Sequence, residues 1–151
     1  MANHYLLFSE LIPALTDEER AWAEQVLACT CDSEPDVANN LNAAGIDIGD
    51  SGDVVDLDDW PGFQWEILPR DADLSMYADE SGNILHVGAF VQALLFRFRP
   101  SDCWQPTWAE TCLRPRIGEF GGGGLFVTAQ SVQLLRAADW VHQHRRAFEA
   151  G

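Results

Sequence analysis

The chain has 151 residues, 47% of them hydrophobic, with six tryptophans, 24 acids, nine arginines and a formal net charge of −15. This length suits one domain with a single sizeable core, and the apolar and aromatic content excludes a disordered chain despite the charge. A balance of this sign repels nucleic acid and anionic membranes and attracts basic surfaces.

The imbalance is concentrated. Residues 1–80 hold nineteen acids against Arg20 and Arg70, a balance of −17, while 81–151 hold five acids and seven arginines, a balance of +2; there is no lysine. No apolar run approaches the ~20 residues of a membrane helix. Met1-Ala2-Asn3-His4 also lacks the charged n-region of a signal sequence. A cytoplasmic protein is therefore expected, with Cys29, Cys31, Cys103 and Cys112 as reduced thiols.

In chain order, the apolar and aromatic run at 4–12 predicts a strand stopped by Pro13. Thr16 and Glu19 have the spacing of a capping box, and Asp17, Glu18 and Glu19 suit the positive end of a helix running to about Ala28. That helix is expected to bury Trp22, Val26 and Cys29. From Asp32 to Asp59, nine of 28 residues are acidic and none is basic. Apart from a short helix near 36–44, this reads as a long surface loop, a kind of segment that is usually functional or mobile.

Phe63, Trp65 and Ile67 alternate with polar residues and predict a strand, joined through a turn at 69–73 to a second strand at 74–78. Ser81-Gly82-Asn83 starts a helix whose apolar positions, Ile84, Val87, Phe90, Val91, Leu94, Leu95 and Phe98, cover one broad face until Pro100. Residues 104–113 alternate as a strand, a glycine run follows, and 125–128 form the last strong strand. The segment 131–150 reads as helical, burying Val132, Leu135, Trp140, Val141 and Phe148. The order β-α-β-β-α-β-β-α predicts an α+β fold of ferredoxin-like type, an antiparallel sheet with helices on one face, as a single domain over 1–151 with the acidic loop inserted at about 32–59.

The most unusual local sequence runs from Arg114 to Ala129. Arg114 and Arg116, two apart in an extended segment, would project on one face, and the glycines from Gly121 to Gly124 leave amides open to a ligand. With Gly121, Gly122 and Gly123 the arginines form a candidate anion site. The order opposes a P-loop, because these glycines lead into a strand and no Gly-Lys-Ser/Thr follows. The competing reading is a glycine bend against which a backbone or an aromatic ring packs closely.

Together with Trp65-Glu66, the helix from His86 to Arg99 and Trp108-Ala109-Glu110-Thr111-Cys112, the Arg-Pro-Arg, Gly-Glu-Phe and glycine segment resembles a family of small acidic bacterial proteins, found also on mobile elements. The resemblance covers about residues 60–130. It implies one compact α+β domain and no catalytic residues.

Metal and catalytic constellations are weak. An EF-hand register starting at Asp47 puts Gly52 at position six and Asp58 at twelve, but Gly49 and Ser51 occupy ligand positions three and five. Cys29 and Cys31 have a single intervening residue, as do His142 and His144, which puts the histidines on different helix faces, and neither is a zinc spacing. A Cys112 thiolate near His4 or His86 is conceivable, but nothing in the sequence brings them together, and a Glu110/Glu119 acid-base pair is explained equally well by ordinary exposed strand and turn carboxylates.

No cofactor, metal or catalytic residue is therefore expected. The favoured reading is a non-enzymatic interaction protein, with an inhibitor or anti-defence role as one form of it. Asp47, Asp50, Asp53, Asp56, Asp58 and Asp59 would meet a basic protein surface, with no direct binding of nucleic acid or membrane. The alternatives are a small enzyme or ligand sensor at Arg114, Arg116 and the glycine run, and a subunit that dimerises through a sheet edge or the Trp104/Trp108 region.

Overall fold

The computed structural model describes residues 4–28, 41, 43–46, 60–112 and 120–151. The elements in chain order are β1 His4–Ile12, α1 Asp17–Leu27, β2 Gln64–Ile67, β3 Leu74–Ala78, α2 Ile84–Phe98, β4 Cys103–Trp104, β5 Thr107–Cys112, β6 Gly121–Thr128, β7 Val132–Arg136 and α3 Ala137–Ala150. This is an α+β fold. Among the described residues, seven strands form one antiparallel sheet of order β2-β3-β1-β5-β6-β4, with β7 also paired to β6.

β1 is the hub. Its second half pairs with β3, from Phe8 opposite Ala78 to Ile12 opposite Leu74, and its first half pairs with β5, from His4 opposite Cys112 to Leu7 opposite Ala109. Strand periodicity then puts Phe8 and Ile12 into the core while Leu11 stays exposed.

The predicted capping box is present at α1. Thr16 Oγ1 accepts from the Glu19 amide at 3.1 Å and Glu19 Oε1 accepts from the Thr16 amide at 2.9 Å. The helix buries Trp22, Ala23, Val26 and Leu27; Cys29 lies outside the described residues. At α2 the Asn83 side chain caps the first turn, accepting from the amides of Leu85 at 3.0 Å and His86 at 3.3 Å. Most of α2 is buried. It meets α1 where Trp22 stacks on Phe90 at 5.5 Å and takes the edge of Phe98 at 5.8 Å. It meets the sheet at Gly88, where an added Cβ would lie 3.1 Å from Val132 and 3.2 Å from Leu125.

The carboxyl-terminal third differs from expectation in three ways. The span at 104–113 is two strands, β4 and β5, because Pro106 cannot donate to a ladder and interrupts the run. β6 begins at Gly121, so the glycines are inside the strand rather than ahead of it. Residues 132–136 form a strand instead of the start of a helix, pairing with β6 from Val127 opposite Val132 to Gly123 opposite Arg136.

The last helix is shorter than predicted and buries none of its residues. Leu135, Trp140, Val141 and Phe148, expected in the core, are exposed, and Val132 is half-buried. The apolar spacing that sequence shows there is real; a surface to receive it is missing from the chain's own described core.

Candidate functional site

Asp47, Asp50, Asp53, Asp56, Asp58 and Asp59 lie outside the described residues, as does most of the short helix expected near 36–44. Their attachment points are described. Ile46 is 1% exposed and donates its amide to Leu41, itself buried, at 2.9 Å. On the other side Trp60 is 2% exposed, and its indole Nε1 donates to the Val26 carbonyl at 3.1 Å. Residues 47–59 are thus bracketed by two buried anchors.

The Trp60 anchor continues into α2. Its ring sits 5.1 Å from that of His86, and Phe63 meets it edge-on at 6.5 Å. His86 is fully buried, and its Nδ1 accepts from the Gly62 amide at 2.8 Å, which places the ring proton on Nε2. The Asn83 amide returns a bond to the Gly62 carbonyl at 2.6 Å. Added methyl groups explain the glycine: a Cβ on Gly62 would fall 2.6 Å from Asn83 Cβ and 2.7 Å from His86 Nδ1. These contacts fix the chain as it leaves the acidic stretch. In the sequence His86 stands as a conceivable partner of a Cys112 thiolate, and a lone histidine on an apolar helix face carries no signal for the anchoring role that its contacts show.

Arg114 and Arg116 also lie outside the described residues. Gly121, Gly122 and Gly123 are in β6, opposite Glu110, Ala109 and Trp108 of β5. A Cβ on Gly123 would lie 2.8 Å from the Trp108 ring and collide with the Leu135 carbonyl; one on Gly122 would lie 2.6 Å from the Trp108 carbonyl. The glycines let the buried Trp108 ring and two neighbouring backbones approach β6 closely. Glu110 puts a carboxylate oxygen 3.0 Å from the Cβ position of Gly121 and pairs with Arg136 at 3.7 Å. Negative charge thus stands beside the run.

No protein-family model, curated protein or solved structure matches this chain.

Of the remaining chemistry-bearing groups, His4 and Cys112 stand opposite each other in the β1–β5 register. Among the described residues no three His, Cys, Asp or Glu side chains converge as a metal site. Cys103 is exposed and Cys112 half-buried. The His144 ring lies tilted against that of Trp140, 3.9 Å between centroids, with Nδ1 2.9 Å from the Trp140 carbonyl. No helix among the described residues is long and apolar enough to cross a membrane. Trp108 is buried and so is unavailable as the dimer surface suggested by its sequence position.

Among the described residues, Glu19 is a carboxylate that its surroundings hold below the ordinary range. Burial alone would raise its pKa, but the Arg99 hydrogen bonds, the Thr16 amide and the Arg99 charge outweigh that and hold it below the ordinary value of 4.5. Its partners account for it as a structural ion pair.

Proposed function

We propose that the protein is a non-enzymatic interaction module whose acidic stretch engages a basic surface of a partner protein. The observation that supports this reading is the run of nine acids without a base at 32–59, with its most acidic part bracketed by the buried anchors Ile46 and Trp60. Coulombic attraction between such a run and clustered arginine or lysine gives fast, salt-sensitive association. An inhibitor or anti-defence protein that covers a nucleic-acid-binding face of its target fits this chemistry, as does a cytoplasmic setting.

On the architecture, we read the strands β2-β3-β1-β5, with α1 and α2 in their crossovers, as a split β-α-β core. We read β6, β4 and β7 as an extension of that ferredoxin-like unit. The function is tested by replacing Asp53, Asp56, Asp58 and Asp59 with asparagine together and measuring partner capture from host extract across a salt series. Wild-type capture that weakens with salt and is lost in the variant supports the reading; capture equal in both overturns it.

A further inference from the structure

We propose that two copies of this chain associate through the apolar stripe of α3, aided by the exposed strand β7. On a helix of 3.6 residues per turn, Ala137, Trp140, Val141, His144, Ala147 and Phe148 fall on one side, and Asp139, His142, Gln143, Arg145, Arg146 and Glu149 fall on the other. The stripe is open: Trp140 is 50% exposed, Val141 57% and Phe148 85%. Leu134 and Leu135 on the neighbouring strand are 41% and 51% exposed. A helix of this length is marginal in water unless its apolar face is buried, and Arg136 at its N-cap supplies no side-chain hydrogen bond.

Three observations favour a second copy as the occupant. The first is area. With side-chain areas of about 150–250 Å² for the aromatics, the stripe and one β7 leucine offer about 500 Å² per chain, so two copies bury about 1,000 Å², where specific interfaces begin.

The second is self-complementarity. Residues 140 and 148 are equidistant from 144, so two α3 helices laid antiparallel about a two-fold axis at His144 set Trp140 against the other copy's Phe148 twice over. The same operation sets Val141 against Ala147, large against small. An isologous contact requires this kind of matching.

The third is charge. Residues 131–151 carry Arg136, Arg145 and Arg146 against Asp139 and Glu149, a balance of +1 within a chain of −15. The segment belongs to the half of the chain, 81–151, whose balance is +2, so two chains repel least where these halves meet. A basic partner finds nothing to attract it on the stripe, and an anionic membrane repels the rest of the molecule.

The test is light scattering on the full chain at micromolar concentration, with Phe148→Arg as the variant. Phe148 is the most exposed side chain of the stripe, so the substitution leaves the fold intact, and circular dichroism checks this. The wild type is expected at twice the chain mass of 16.8 kDa and the variant at 16.8 kDa with an unchanged spectrum. A monomeric wild type overturns the proposal, whether another part of the chain, a different protein or a lipid vesicle proves to cover the stripe. A variant that remains dimeric overturns it equally.

Discussion

Arg99 holds Glu19 across 80 residues of chain, its Nε 2.6 Å from one carboxylate oxygen and a terminal nitrogen 3.2 Å from the other. The same guanidinium donates to the carbonyls of Pro13 and Ala14 at 3.0 and 3.3 Å. One arginine at the end of α2 thereby fixes the β1–α1 corner, and the carboxylate it binds also completes the α1 capping box. Because the pair is mostly buried, removing one partner strands the other.

Arg99→Ala is expected to cost about 3 kcal/mol, as for a broken buried pair. The linked pH effect has a definite sign. Glu19 has a lowered pKa in the fold, so its contribution is complete above 4.5 and is lost as pH falls from there through the folded value. Urea unfolding at stepped pH should show a loss of stability below 4.5 that is reduced in Glu19→Gln. An identical acid dependence in that variant would remove Glu19 from the account.

Trp22 and Trp60 are both buried but use their indole N–H groups differently. Trp60 donates to Val26, whereas Trp22 Nε1 has no hydrogen-bond partner among the described residues. Trp60→Phe should therefore be more destabilising than Trp22→Phe by about 1 kcal/mol, the net worth of a buried hydrogen bond. Chemical denaturation of the two variants measures the difference, and equal losses would contradict it.

Gly123→Ala drives a methyl group into the Trp108 ring and the Leu135 carbonyl. Overpacking of this kind costs about 1–3 kcal/mol. Gly121→Ala meets only the flexible end of Glu110 and should cost less. Thermal unfolding of the pair gives the order, and a reversed order would mean that the glycines are not there to seat Trp108.

If close packing accounts for the glycine run, inorganic phosphate and nucleotides leave the melting temperature unchanged. A ligand at a hundred times its Kd would add about 2.7 kcal/mol of stability. A clear shift with phosphate that is lost in Arg116→Ala would instead favour an anion site at Arg114 and Arg116.

Much of the frame was legible in the sequence, where local chemistry decides it. The Thr16/Glu19 spacing, the Phe63/Trp65/Ile67 alternation and the α2 periodicity each carry their own signal, and all three elements form. Tertiary partners decided the rest. Residues 132–136 contain Val, Gln, Leu, Leu and Arg, which suit helix or strand alike, and pairing with β6 selects strand. Trp140 and Phe148 have the spacing of a buried helix face, and spacing alone cannot reveal whether a core stands opposite. Of the site, sequence supplies the charge of the acidic stretch, while its anchoring by Trp60 and His86 depends on contacts 34 and 24 residues away.

The central claim concerns that stretch. Its most direct test is capture from host extract by wild type and by the chain carrying Asp53→Asn, Asp56→Asn, Asp58→Asn and Asp59→Asn, each over a range of salt. The account predicts a partner with a basic surface that is retained by wild type, released as salt rises and lost from the variant. Equal retention by both proteins, insensitive to salt, would contradict it.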